Sequence, residues 1–124
     1  GETVLADGVS VAVEMRTEHP ELWELLRRKE RRYRCVDMDT GWHLRAGGPI
    51  FQTCSRDSKK VTAVRHNDLD RCPDVCETER DYEDLEEAHT VLDEMLSRDD
   101  VRCVIGLQPG ETIVVVNHRE GVIT

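Results

Sequence analysis

The chain reads as an α+β, mainly β protein with flanking helices, and three observations predict this. β-Branched and aromatic runs recur from Tyr33 to Arg65 and again after Val101, each about the length of a strand and bounded by turn residues. At Thr78 the apolar period lengthens to that of a helix. Finally, Gln108-Pro109-Gly110-Glu111 separates two β-branched runs, the composition of a turn between paired strands.

The elements follow in order. Thr3 to Ala6 is a short apolar run, and Asp7-Gly8 leads it into a helix over Val9 to Arg16, with Asp7 oxygens accepting from the free amides of the first turn. His19-Pro20-Glu21 begins a second helix, because proline is tolerated at the first helical position and a carboxylate favours the positive end of the dipole. Leu22, Leu25 and Leu26 form its apolar stripe, with Trp23 expected to pack beside them. Strands are expected at Tyr33 to Met38, Trp42 to Ala46, Pro49 to Cys54 and Lys60 to Arg65. Asp39-Thr40-Gly41 and Arg56-Asp57-Ser58 supply turns, and Gly47-Gly48-Pro49 is expected to break the chain sharply. A long helix runs from Glu79 to Arg98, with Thr78 and Asp81 as a capping pair and Tyr82, Leu85, Leu92, Met95 and Leu96 on one face. Its other face, dense in acid from Glu77 to Glu87, reads as solvated. Strands at Val101 to Leu107 and Thr112 to Asn117 complete the chain.

Composition narrows the function classes. The 124 residues suffice for one domain, 1–124, with a modest core. A net charge of −9 provides no field to attract phosphate backbones, so no nucleic-acid partner is expected. The basic knot Arg27-Arg28-Lys29 with Arg31-Arg32 reads as a helix end, where cations meet the negative pole. No apolar run approaches the roughly 18 residues needed to span a bilayer, so no membrane is expected. Five cysteines at irregular spacing cannot all close into disulfides and fit reduced thiols in an intracellular compartment, cytoplasmic or mitochondrial. Cys35 and Cys103 lie in strand-like runs, where a small buried apolar side chain is natural. Cys72 and Cys76 provide half a zinc site at most, since no second close pair follows.

Four segments in a fixed order carry a family resemblance. They are Gly1 to Gly8 with Pro20-Glu21-Leu22-Trp23; Pro49-Ile50-Phe51 followed by Val61 to Arg65 and Asn67-Asp68-Leu69-Asp70-Arg71-Cys72-Pro73; the helix from Glu79; and the Pro-Gly-Glu turn with its strand into Asn117-His118-Arg119. Together they resemble the C-terminal portion of iron/2-oxoglutarate dioxygenases of the γ-butyrobetaine and trimethyllysine hydroxylase kind, a TauD-type family. The resemblance implies a partial double-stranded β-helix, the jelly roll of clavaminate-synthase-like proteins. It also implies Fe(II) and 2-oxoglutarate as the family's cofactors, the iron held by a His-x-Asp pair and a distal His. By the same resemblance that pair precedes the segment matched by Gly1 to Gly8, Val122 stands at the distal-His position, and the cosubstrate arginine lies beyond Thr124. The chain is therefore expected to be a truncated or diverged dioxygenase-like protein, inactive alone, with no cofactor of its own.

Asn67, Arg71, Asn117 and Arg119 match family positions and are the candidate substrate-binding residues, although Asn and Arg at strand ends also tie down turns. One internal metal set is spelled by His66-Asn67-Asp68 and His118, two imidazoles and a carboxylate suited to non-haem Fe(II). His66 and Asp68 would share a strand face, whereas the resemblance places His118 on a different rim, so convergence on one ion is not expected. The competing function class is a non-catalytic binding module on the same scaffold. Trp23, Trp42, Tyr33, Tyr82 and Phe51 are too dispersed in sequence to suggest a cage for a quaternary ammonium. A small-molecule substrate is expected only where the site is complete. Sheet edges left open by a partial jelly roll point to self-association as a homo-oligomer.

Overall fold

The computed structural model describes residues 1–116 and 120–123, with side chains described for 1–116. The element order is β1 (Glu2–Asp7), α1 (Gly8–Glu18), α2 (Pro20–Arg28), β2 (Arg31–Val36), β3 (His43–Gly48), β4 (Phe51–Cys54), β5 (Asp57–Val64), α3 (Glu79–Leu96), β6 (Arg102–Gly106) and β7 (Glu120–Ile123). The strands form three antiparallel sheets: β6-β1-β7, β2-β3 and β4-β5. The fold is mixed α+β, with helices contributing as much of the framework as strands do.

Local chemistry explains the helices. Asp7 caps α1, its Oδ1 accepting from the amides of Val9 and Ser10 at 3.1 Å each, which satisfies two of the amides that a helix start leaves unpaired. Pro20 opens α2, and Arg27 and Arg28 close it while both pair with Glu24, so the basic knot is in part a neutralised helix end. Thr78 caps α3 by accepting from Asp81 N at 3.1 Å.

The core lies where the three helices meet β4. Val11, Ala12 and Met15 of α1, Trp23 and Leu26 of α2, Ile50 and Phe51, and Leu85, Ala88 and Leu92 of α3 are all buried in one cluster. Trp23 stacks on Phe51 with ring centroids 6.4 Å apart and planes at 23°, an offset geometry that aromatic pairs favour. This fixes α2 over β4, and the strand that follows, β2, sets Arg31 beside His89 of α3.

Four expectations need correction. Thr112 to Val116, the described part of the expected last strand, is irregular, and the free edge of β1 is taken instead by β7. The physical reason is pairing: β6 already bonds to β1, with Thr3 opposite Ile105 and Leu5 opposite Cys103, and among the described residues Val114 has no paired strand beside it and is 90% exposed. Cys35 and Cys103 are exposed rather than core: Cys35 lies in the two-stranded β2-β3 sheet and Cys103 in β6, an edge strand, each with a strand neighbour on one side among the described residues. Gly47 and Gly48 do not break the chain but end β3, opposite Arg32 and Arg31. At Gly48, φ is +152° and a β-carbon would sit 3.2 Å from an Arg65 nitrogen, so the strand ends there on a residue without a side chain. Finally, β5 stops at Val64, which places His66 and Asp68 in the following loop rather than on a shared strand face.

Candidate functional site

The loop after β5 folds back on β2. Asn67 organises it: its Oδ1 accepts from Leu69 N at 3.1 Å and Asp70 N at 3.3 Å, and its Nδ2 donates to Asp70 Oδ2 at 2.8 Å, an Asx turn. The loop is then sewn to β2 by Arg34 N donating to Asp70 O at 2.7 Å and Cys72 N donating to Arg32 O at 2.9 Å, with Tyr33 bridged to Arg71. These bonds bring His66, Asp68, Arg71 and Asp74 against Arg31 of β2 and against one face of α3.

That face presents His89 and Asp93, four residues apart and therefore neighbours on the helix. His66 Nε2 donates to Asp93 Oδ1 at 2.7 Å, and His89 Nε2 lies 2.9 Å from Asp68 Oδ1 and 3.5 Å from Asp93 Oδ2. His66 Nε2 is 3.9 Å from Asp68 Oδ2, and the two imidazole centroids are 5.0 Å apart. Among the described residues these four side chains are a group whose donor atoms all lie within 4.8 Å of one another. His66 is largely covered and His89 buried, while the Asp68 and Asp93 side chains remain 49% and 45% exposed, so the group opens to solvent on its carboxylate side.

Arg31 sets the chemistry from beneath. Its side chain is 1% exposed, and so nearly is Asp74 at 2%, whose Oδ2 accepts from Arg31 Nη2 at 3.1 Å and Arg71 Nη1 at 2.8 Å. The other Arg31 nitrogen, Nη1, lies 2.6 Å from His89 Nδ1. A guanidinium only donates, so His89 Nδ1 accepts and the neutral ring carries its proton on Nε2, which donates to Asp68. Burial pushes the His89 imidazole below its ordinary 6.5, with Asp68 and Asp93 pulling the other way and Arg31 reinforcing the fall. Burial acts to raise the Asp68 carboxyl, but His89, His66 and Arg71 outweigh it and hold Asp68 below its ordinary value. Arg71 Nε lies 3.3 Å from Asp68 Oδ1, an ion pair outside hydrogen-bond geometry that leaves this nitrogen, like Arg31 Nε, without a hydrogen-bond acceptor.

Of the residues the sequence singles out, His66, Asn67, Asp68 and Arg71 are thus together, Asn67 as the turn former and Arg71 as a brace. Asn117, His118 and Arg119 lie outside the described residues, and with them the third member of the His66, Asp68, His118 set. His89, Asp93 and Asp74 are not among the residues the sequence singles out, and Arg31 stands there only as part of the basic knot. The i,i+4 spacing of His89 and Asp93 is a signal for the first two; nothing in the sequence pairs Arg31 with Asp74, 43 residues away.

Small antiparallel sheets braced by three helices, with a His and Asp cluster at a loop–helix junction, define an α+β protein carrying a polar side-chain group suited to proton or cation chemistry. The sequence matches the family described as taurine catabolism dioxygenase TauD, TfdA family, over residues 1–119. The chain belongs to this TauD/TfdA dioxygenase family, whose members depend on Fe(II) and 2-oxoglutarate.

The cluster does not present the donor set that iron takes in such enzymes. Two imidazole lone pairs and one carboxylate are needed, and the contact from Arg31 leaves His89 with a proton on the nitrogen that faces the group. One imidazole and two carboxylates remain. Among the described residues the arginines here are also committed, Arg31 and Arg71 both to Asp74, so neither is released to pair with a 2-oxoacid carboxylate.

Proposed function

We propose that this chain is a diverged, dioxygenase-like member of the family, related to hydroxylases of small trimethylammonium substrates, that supplies scaffold and does not by itself run the iron/2-oxoglutarate reaction. The observation that carries the reading is the family match over residues 1–119 combined with Val122 at the position the resemblance gives to the distal His. A valine side chain has no donor atom for a metal. Two further features support it: the described cluster offers one imidazole not held by a guanidinium instead of two, and the aromatic residues do not form a cage. Trp23, Phe51 and Tyr33 are buried in packing roles, whereas Trp42 and Tyr82 are exposed. The small sheets are read as part of the family's jelly roll.

Calorimetric titration of 2-oxoglutarate into the protein with equimolar Fe(II) under argon tests the proposal. No saturable binding is expected; one-to-one binding would overturn it.

A second reading, a non-catalytic binding module, is favoured by one observation. The β2–β3 hairpin exposes Val36, Met38, Trp42 and Leu44, and Cys35, Asp37, Thr40, Trp42 and Leu44 line a shallow groove of about 270 Å³, near the lower end for ligand pockets.

A further inference from the structure

We propose that His66, Asp68 and Asp93 form a binding site for a divalent first-row transition cation, with His89 acting as the residue that orients Asp68 rather than as a ligand. The site is independent of the function proposed above and uses none of the positions that the resemblance assigns to iron.

Three lines of geometry lead to it. First, donor atoms from two separate elements converge: His66 Nε2 is 2.7 Å from Asp93 Oδ1 and 3.9 Å from Asp68 Oδ2. Metal bonds of about 2.1 Å in a tetrahedral arrangement put ligand atoms about 3.4 Å apart, so the observed separations straddle the required one. Small side-chain adjustments then admit the ion. Second, the two oxygens of Asp68 are already divided by role. Oδ1 takes the hydrogen bond from His89 Nε2 at 2.9 Å and faces Arg71, and Oδ2 is the one turned to His66. His89 is in turn fixed by Arg31 from its other nitrogen. Such a chain of outer hydrogen bonds, holding a ligating carboxylate in one orientation, is a feature of built metal sites. Third, charge favours a cation. Among the described residues, Asp74 pairs with Arg31 and Arg71, Asp68 with Arg71 and the two imidazoles, and Asp93 with the imidazoles alone, so three carboxylates share two guanidiniums, and Glu86 also acts on Arg31. A deficit of positive charge remains around His66, which a bound ion would fill.

An ion bound at Nε2 requires the His66 ring to carry its proton on Nδ1, and it receives one nitrogen and two carboxylate oxygens. The half-exposed carboxylates leave the outer coordination positions to water. One imidazole with two carboxylates suits Mn(II), Fe(II), Co(II) or Zn(II) and does not require thiolate.

Mn(II) is the probe of choice, because the five cysteines would capture Zn(II) whereas Mn(II) prefers oxygen and imidazole. Loss of the free Mn(II) electron paramagnetic resonance signal should give one ion per chain. His66→Gln and Asp93→Asn should each weaken binding at least about tenfold, while His89→Gln, whose amide still donates to Asp68, should change it by less than about fivefold. In the wild-type protein, Mn(II) should broaden the His66 ring and Asp93 resonances before those of any cysteine, a readout independent of whether the variants fold. Absence of saturable binding, unchanged affinity in His66→Gln, or broadening centred elsewhere would overturn the proposal. Equal losses in His66→Gln and His89→Gln would overturn the role given to His89.

Discussion

Arg31 is the residue on which the site depends, because a guanidinium that can only donate dictates what each neighbour must do. It makes His89 an acceptor at Nδ1 and shares Asp74 with Arg71. Asp74 is 2% exposed, so its removal leaves two cations facing each other in a place water scarcely reaches. Asp74→Ala is expected to cost about 3–5 kcal/mol of stability. Denaturant midpoints check this, and Arg31→Met combined with Asp74→Leu should recover most of the loss, since an apolar pair of similar volume replaces a buried ion pair without large cost. At this scale the sequence was half legible. His66 and Asp68 stand out as a His-x-Asp string, whereas the ring partner of His66 came from a helix whose charged residues all look solvated. Arg31 looked like one more cation in a basic knot; burial by residues more than 40 positions away leaves no mark in a local pattern.

At the scale of elements, caps and periods were the reliable signals, because they are local. Asp7 and Thr78 bond to amides two or three residues ahead, so the chain itself specifies where α1 and α3 begin. Asp7→Ala is expected to lower stability by about 1 kcal/mol, and Asp7→Asn by much less, in thermal or denaturant melts. The last expected strand failed for the opposite reason. An apolar β-branched run such as Thr112 to Val116 becomes a strand only if a partner edge is free, and that is a property of the sheet rather than of the run.

Elements are also tied to each other by charge. Arg98, just beyond α3, donates to Glu14 of α1 at 2.7 and 2.9 Å and to Asp100 at 3.0 Å. The Arg98 hydrogen bonds hold both carboxyls below their ordinary values of 4.5 and 3.8. A carboxyl depressed in the folded state stabilises the protein above its unfolded pKa, and that contribution is lost as the pH falls through the folded value. The stability difference between wild type and Arg98→Ala should therefore be largest above pH 4.5 and shrink steadily on acidification below it. The effect is small at so exposed a site, and a difference that grows on acidification would contradict the assignment.

For the molecule as a whole, the family relationship and the visible chemistry point to different residues. The resemblance rests on order along the chain, and that order survives with a three-helix, three-sheet framework around Phe51 and Trp23. What distinguishes this member is where its histidines and carboxylates gather: on the loop after β5 and on α3, braced from beneath by Arg31, Asp74 and Arg71. Fold and family therefore describe ancestry more securely than activity. Among the described residues no helix is long and apolar enough to cross a membrane.

The most direct test of this account is succinate formation from 2-oxoglutarate in oxygenated buffer with Fe(II) and ascorbate. The account predicts release no greater than an iron-only blank, for the wild type and for His66→Gln alike, because a one-imidazole group and Val122 do not reproduce the family's iron site. Succinate release above the blank that is abolished by His66→Gln would contradict it and make the cluster itself the oxygenase centre.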